Sequence, residues 1–118
     1  GYNKLNKNSK AVVAAVVANF PKVNTIHGWR SSSAYSSDHP NGRAVDIMIP
    51  DWKGSGVQYG TEVAEYFKKN AGKYRVRYII WRQRVWNVAY PARGWRAMEN
   101  RGYATANHYD HVHVSVYD

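Results

Sequence analysis

The chain contains no cysteine, and this absence excludes disulfide bonds, thiolate metal sites and a cysteine nucleophile together. It also has no apolar run near the roughly 18 residues that a membrane span requires. The longest such run, residues 11–18, lies between lysines and is followed by Pro21. We interpret it as a buried helix and not as a signal peptide, because no small-residue cleavage site accompanies it.

Acidic residues are scarce: 8 Asp and Glu stand against 17 Lys and Arg, which gives a net charge of +9. A surface this basic attracts polyanions, and both nucleic acid and the phosphate- and carboxylate-rich bacterial wall fit that description. The basic residues are spread over residues 4–10, 68–84 and 93–101. This distribution predicts a charged face and not a tail.

The length of 118 residues suits one domain with a single core. We expect residues 1–8 to form an N-terminal arm or boundary and residues 9–118 to form the domain. Helical spacing predicts helices over residues 10–19, capped by Ser9, and over residues 57–71, ended by Gly72. Alternation and β-branched residues predict strands over residues 23–27, 43–49, 75–81, 84–88 and 111–116, with a helical turn within 94–100. Mixed strands and helices of this kind predict the α+β class.

Two segments carry residues that suit chemistry better than packing. The first, residues 37–46, reads S-D-H-P-N-G-R-A-V-D, and the second, residues 107–113, reads N-H-Y-D-H-V-H. A catalytic zinc takes three nitrogen or oxygen ligands and keeps a fourth position for water, and His and Asp serve when cysteine is absent. Asp46 lies between Val45 and Ile47, where an acid is costly to bury unless it meets a cation.

Each element also has an ordinary explanation. An acid in an apolar strand is commonly paired with an arginine, and Arg43 is near enough in sequence to be that partner. His39 could decorate a turn, and an H-x-H on a strand is often incidental. On a strand, however, His111 and His113 project from one face. We therefore interpret the combination of a loop His, a strand Asp and a terminal D-H-x-H as a metal site.

The first segment resembles the S-x-H-x-x-G-x-A-x-D signature of the D-Ala-D-Ala carboxypeptidase-like metallopeptidases at every fixed position. These are grouped with lysostaphin-type and hedgehog-like domains that share an H…D…HxH zinc site. The ending N-H-Y-D-H-V-H-V-S looks more narrowly like a domain at the C-termini of secreted actinobacterial and phage cell-wall proteins. The resemblance runs from about residue 26 to residue 115. It implies a central antiparallel sheet with helices on one side, and Zn²⁺ bound by His39, Asp46 and His113.

The resemblance also implies roles around the metal. The family places an acidic general base three residues before the last ligand, and Asp110 occupies that position, although many members have Glu there. We favour Asp110 as the base and assign His111 to the water or the tetrahedral intermediate, with the reverse assignment left open. Because strict alternation would turn Asp110 away from His113, this choice requires a turn or bulge at residues 109–110.

Two further residues follow from the same resemblance. Ser37, before the metal-binding His39, is expected to contact substrate. Arg30 is expected to polarise the scissile carbonyl or to bind a peptide carboxylate, since its planar fork pairs bidentately with carboxylate. The ordinary alternative for Arg30 is a surface arginine.

These assignments predict a secreted or phage-encoded, endolysin-like zinc peptidase that acts outside the cell or in the wall. Its partner would be bacterial peptidoglycan, with anionic wall polymers as a second, and we expect a monomer. The competing prediction is a non-catalytic wall-binding module with a structural or vestigial zinc site. A nucleic-acid binder is also compatible with the charge and the aromatic content, but it would leave the His/Asp pattern without a role, so no nucleic acid is expected.

Overall fold

The computed structural model describes residues 2–31 and 38–118, and within them six strands form one antiparallel sheet alongside three α-helices. The helices are α1 (Lys7–Asn19), α2 (Gly56–Lys69) and α3 (Ala71–Tyr74). The strands are β1 (Ile26–His27), β2 (Ala44–Met48), β3 (Val76–Trp81), β4 (Arg84–Asn87), β5 (Arg96–Ala97) and β6 (His111–Val116). Their order is β1-β2-β6-β3-β4-β5. The predicted α+β class is confirmed.

Helix α1 begins earlier than the sequence predicts. The Oδ1 of Asn6 accepts a hydrogen bond of 2.8 Å from the backbone N–H of Ser9, so Asn6 is the N-cap and the prediction of Ser9 was wrong. Ser9 lies within the first turn instead, fully buried, and its hydroxyl donates to the carbonyl oxygen of Gly42 at 2.8 Å. Ser9 therefore ties α1 to the loop that precedes β2.

Helix α2 has the buried face that its spacing predicts, with Val63, Ala64 and Phe67 at 0–1% exposure. Its end differs from the prediction. The helix stops at Lys69, and Gly72 lies inside α3. The C-cap of α3 is Arg75, which adopts the left-handed conformation with φ of 56°. A glycine directly after a predicted helix marks its end only if that glycine adopts the left-handed conformation, and here Arg75 adopts it instead of Gly72.

The strands at the centre of the sheet agree with the prediction, and those at its edges do not. Strands β2 and β6 lie within one residue of the predicted bounds, whereas β1 has two residues where five were predicted. The helical turn predicted within residues 94–100 is wrong. A 3₁₀ turn at Pro91–Arg93 leads into β5, which pairs with β4. A short edge strand is defined by its pairing with the adjacent strand, and the local sequence does not indicate that pairing.

The sheet has two different faces because side chains alternate along each strand. One face packs against the helices and builds the core. Strand residues of that core include Val45, Ile47, Ile79, Val112, Val114 and Val116, all at 0% exposure. The alternate residues, among them Asp46, His111, His113 and Ser115, lie on the other face. Irregular pairing between Val76 and Tyr78 shifts β3, so that Val76 joins the core while Tyr78 lies opposite Ser115.

Candidate metal centre

Two of the predicted ligands are neighbours across the sheet. Asp46 on β2 and His113 on β6 are directly paired residues, so their side chains share a face. Asp46 is 4% exposed and His113 2% exposed. The pairing of β2 with β6 therefore brings together two residues that are 67 positions apart in the chain.

The third predicted ligand, His39, is positioned by a tight turn. Residues His39–Asn41 form a 3₁₀ turn that ends at Gly42, whose φ is 69°. A Cβ at Gly42 would overlap the carbonyl oxygen of Lys4, so both the backbone conformation and the neighbouring chain require glycine. The turn leaves His39 fully buried, with its Nδ1 2.6 Å from the carbonyl oxygen of Gly28.

Ring nitrogens of three histidines converge on one oxygen, the Oδ1 of Asp46. His113 Nδ1 lies at 2.9 Å, His39 Nε2 at 3.2 Å and His111 Nε2 at 3.5 Å. A carbonyl oxygen can only accept, so Nδ1 of His39 donates to Gly28 and, in the neutral ring, Nε2 presents a lone pair to the carboxylate. Two acceptors that face each other at this distance require a cation between them or a proton.

The charge states of the group suit a cation. Burial raises the pKa of Asp46, but the close contacts of its carboxylate with His113 and His39 outweigh it and hold that pKa well below its usual range. Burial lowers the pKa of His113, against the opposing effect of Asp46. The site thus combines an ionised carboxylate with a neutral imidazole, which are the forms that bind metal ions.

The ring nitrogen of His113 that points away from Asp46, its outer nitrogen, contacts a residue on the same face of β6. Its Nε2 lies 2.8 Å from Oγ of Ser115, two residues along the strand. The ring stacks on Tyr78 with centroids 5.5 Å apart and planes inclined by 13°. Such contacts fix the orientation of a ligand ring and direct its other nitrogen, Nδ1, towards Asp46.

Asp110 and His111 form a pair beside the group. Asp110 lies in the bend before β6, so strand alternation does not govern its direction. Its Oδ1 lies 2.7 Å from His111 Nδ1, and its Oδ2 accepts a hydrogen bond of 2.7 Å from the hydroxyl of Thr105. The hydrogen bond with His111 lowers the pKa of Asp110, despite partial burial. Of this pair, the imidazole is the member that reaches Asp46.

Arg30 and not Arg43 is the arginine beside Asp46. Nη2 of Arg30 lies 3.2 Å from Oδ2 of Asp46, and its side chain is 48% exposed. The ordinary interpretation that paired Asp46 with Arg43 is wrong, because Arg43 makes two 2.8 Å contacts with the carboxylate of Asp118. Ser37, the predicted substrate contact, lies outside the described residues.

His108 is a neighbour of the group for which the sequence analysis assigned no role. Its ring centroid lies 4.5 Å from that of His111 and 5.5 Å from that of His113. Burial lowers its pKa to about 3, and its Nδ1 has no hydrogen-bond partner within residues 2–31 and 38–118. The signal in the sequence was its position, three residues before His111 in a segment already rich in histidine.

The fold and the site together define an α+β domain with a buried group that could hold a metal ion. His39, Asp46 and His113 each offer one ligand atom, and these atoms all lie within 4.8 Å of one another. Imidazole and carboxylate ligands of this kind suit zinc and other first-row transition metals.

The comparisons with known proteins assign the chain to a family. Residues 1–109 match the family described as "VldE, C-terminal domain", and the chain belongs to it. The match includes His39 and Asp46 and ends two residues before His111. An "Uncharacterized secreted protein" of Arthroderma benhamiae is 30% identical over 92 residues, which cover 63% of this chain and 38% of that protein. The chain thus spans about two fifths of that relative. No solved structure matches.

Within residues 2–31 and 38–118, no helix is both long and apolar enough to cross a bilayer.

Proposed function

We propose that this chain is a zinc-dependent peptidase that hydrolyses an amide bond in the stem peptides or cross-links of bacterial peptidoglycan. The observation that carries the proposal is the convergence of His39, His111 and His113 on one oxygen of Asp46, at 2.9–3.5 Å. The H…D…HxH pattern and its resemblance to the D-Ala-D-Ala carboxypeptidase-like metallopeptidases support the reaction class. The antiparallel sheet, with the group on one face and helices on the other, supports a hedgehog/D-Ala-D-Ala peptidase-like fold.

His39, Asp46 and His113 would hold the metal through Nε2, Oδ1 and Nδ1. Zinc bound there would supply an acidified water and polarise the carbonyl of the substrate. Gly28 and Ser115 hold the outer nitrogens of the two rings, at 2.6 Å and 2.8 Å. The carbonyl of Gly28 only accepts, so it fixes the tautomer of His39 that leaves Nε2 available. The hydroxyl of Ser115, acting as an acceptor from Nε2–H, would leave Nδ1 of His113 available in the same way.

In this proposal the Asp110–His111 pair handles the proton. Asp110 is ionised and accepts from Nδ1–H of His111, so in the neutral ring Nε2 carries the lone pair and faces the metal group. His111 is then the base that takes the proton at Nε2, and Asp110 orients it and stabilises its charged form. This assignment exchanges the roles that the sequence analysis favoured for the two residues.

Arg30 is the substrate-facing member of the site. Its exposed guanidinium, now paired with Oδ2 of Asp46, can move to a substrate carboxylate or to the oxygen that gains charge during attack. The secreted relative in Arthroderma benhamiae supports a location outside the cell for this chain as well.

The test is a digest of purified peptidoglycan, analysed by mass spectrometry for new muropeptides. Wild-type protein with zinc should release products. His113→Ala should lose both zinc and products. His111→Gln should keep zinc and slow release by about 10²–10⁴-fold, the usual contribution of a positioned base. Asp110→Asn should keep zinc with a smaller loss than His111→Gln. If His111→Gln cleaves at the wild-type rate, the assignment of the base is wrong.

A wall-binding module with a structural metal is the second candidate, and the burial of the group favours it. The four side chains of His39, Asp46, His111 and His113 are 0–5% exposed, and structural zinc sites are closed. The same digest separates the two functions. Zinc-loaded protein that sediments with peptidoglycan and releases no product would establish the module and refute the peptidase.

A further inference from the structure

One row of paired residues crosses the whole sheet and passes through the metal group. The pairing runs His27, Asp46, His113, Ile80, Val85 and Arg96, one residue from each strand. Directly paired residues of antiparallel strands place their side chains on the same face. Arg96 therefore lies on the face that carries Asp46 and His113, three strands from His113.

Arg96 borders a cavity of about 320 Å³ on that face. Its other lining residues include Val85, Asn87, Tyr90 and Arg93. The guanidinium of Arg93 lies 4.1 Å from the centre of the Tyr90 ring, and this contact holds its planar group at the cavity. Two arginines thus border one small depression.

Both arginines lack an acidic partner within the described part of the chain. Four other arginines there are paired with carboxylates at 2.8–3.5 Å, namely Arg30, Arg43, Arg77 and Arg101. Arg93 and Arg96 have no such contact among residues 2–31 and 38–118, and both are exposed. Two unneutralised guanidinium groups beside one cavity attract an anion, and their planar forks match a carboxylate.

The separation from the metal group sets where that anion lies. Adjacent strands are about 4.8 Å apart, so three steps place Arg96 roughly 14 Å from His113. An extended peptide covers about 3.3–3.6 Å per residue, so this separation corresponds to about four residues. We propose that Arg93 and Arg96 form an anion subsite that binds a carboxylate of the substrate peptide about four residues from the bond at the metal group. The subsite rests on the proposed function for the identity of that peptide.

The chain offers a matched control in Arg84. It lies on β4 opposite Ala97, one residue from Val85, so its side chain projects from the other face of the sheet. Arg84→Gln removes the same charge as Arg96→Gln from a neighbouring position. Any effect of net charge alone would appear equally in both variants.

The experiment measures binding and not turnover, so that it does not depend on catalysis. Metal-free protein is sedimented with purified peptidoglycan at about 0.15 M salt, using material stripped of phosphate polymers, the same material with amidated carboxyls, and unstripped wall. We expect about tenfold weaker binding to stripped material for Arg93→Gln and for Arg96→Gln, and wild-type binding for Arg84→Gln. Amidation should weaken wild-type binding and abolish the difference between variants.

Several results would overturn the subsite. If all three variants weaken binding equally, only net charge matters. If Arg93→Gln and Arg96→Gln weaken binding to unstripped wall alone, the anion is a phosphate of the wall polymer. If wild-type protein does not bind stripped material, the assignment of the anion to a peptidoglycan peptide is wrong. A peptidase digest run in parallel separates this inference from the proposed function. Arginine-dependent binding without cleavage would refute the peptidase and keep the subsite, whereas cleavage without that dependence would refute the subsite alone.

Discussion

The substitution Asp46→Asn tests the metal centre most directly. It preserves the size of the side chain, since one oxygen becomes an amide, and removes the charge towards which His39 and His113 point. A metal that binds the folded protein and not the unfolded chain stabilises it by RT ln(1 + [L]/Kd), which is about 2.7 kcal/mol at 100 times Kd. The substitution should remove most of that gain.

The expected size of the effect follows from the length of the chain. Unfolding entropy near 60 °C is about 2.1 cal/mol/K per residue, so for 118 residues a gain of about 2.7 kcal/mol raises Tm by about 11 °C. Thermal unfolding followed by circular dichroism, in chelator and then in zinc at 100 times Kd, measures this shift. Wild-type protein should gain about 11 °C and Asp46→Asn only a few degrees.

The matched control is His27→Asn. It removes an imidazole from the residue that pairs with Asp46 across β1 and β2 but is exposed and lies outside the proposed ligand set. It should keep the full shift in Tm and one zinc per chain. If Asp46→Asn gains as much as wild-type protein, the zinc that stabilises the fold is bound elsewhere. The residues that converge on Oδ1 would then not be the metal site.

Three further changes probe the supports of the site and the core. Ser115→Ala, which removes the partner of His113 Nε2, should weaken zinc binding about 10–100-fold in a competition titration with a chelator, and unchanged affinity would contradict that support. Gly42→Ala should lower the free energy of unfolding in urea by about 1–3 kcal/mol or more, because its φ is 69° and the added Cβ would meet the carbonyl of Lys4; a loss below about 0.5 kcal/mol would show that the turn relaxes. Phe67→Ala, at 0% exposure, should cost about 3–5 kcal/mol in the same assay, and a loss below about 1 kcal/mol would contradict its place in the core.

The sequence by itself determined the parts of the fold that rest on local patterns. Alternation in residues 111–116 and 43–49 predicted β6 and β2 closely, because the buried face of a central strand must be apolar at every second residue. The same alternation predicted that His111 and His113 share a face. Residue chemistry and the signature singled out His39, Asp46 and His113, which the structure brings within 4.8 Å.

Tertiary structure alone decided how the remaining groups are paired. Arg43 is much nearer to Asp46 in sequence than Arg30 is, but the chain path places Arg30 beside the carboxylate and turns Arg43 to Asp118. Asp110 was expected to face the metal, yet its bend before β6 directs it to His111 and Thr105. Contacts between distant segments depend on register and loop conformation, and no local pattern encodes these. The row from Asp46 to Arg96 exists for the same reason, since it requires the pairing of β2, β6, β3, β4 and β5, five of the six strands of the described sheet.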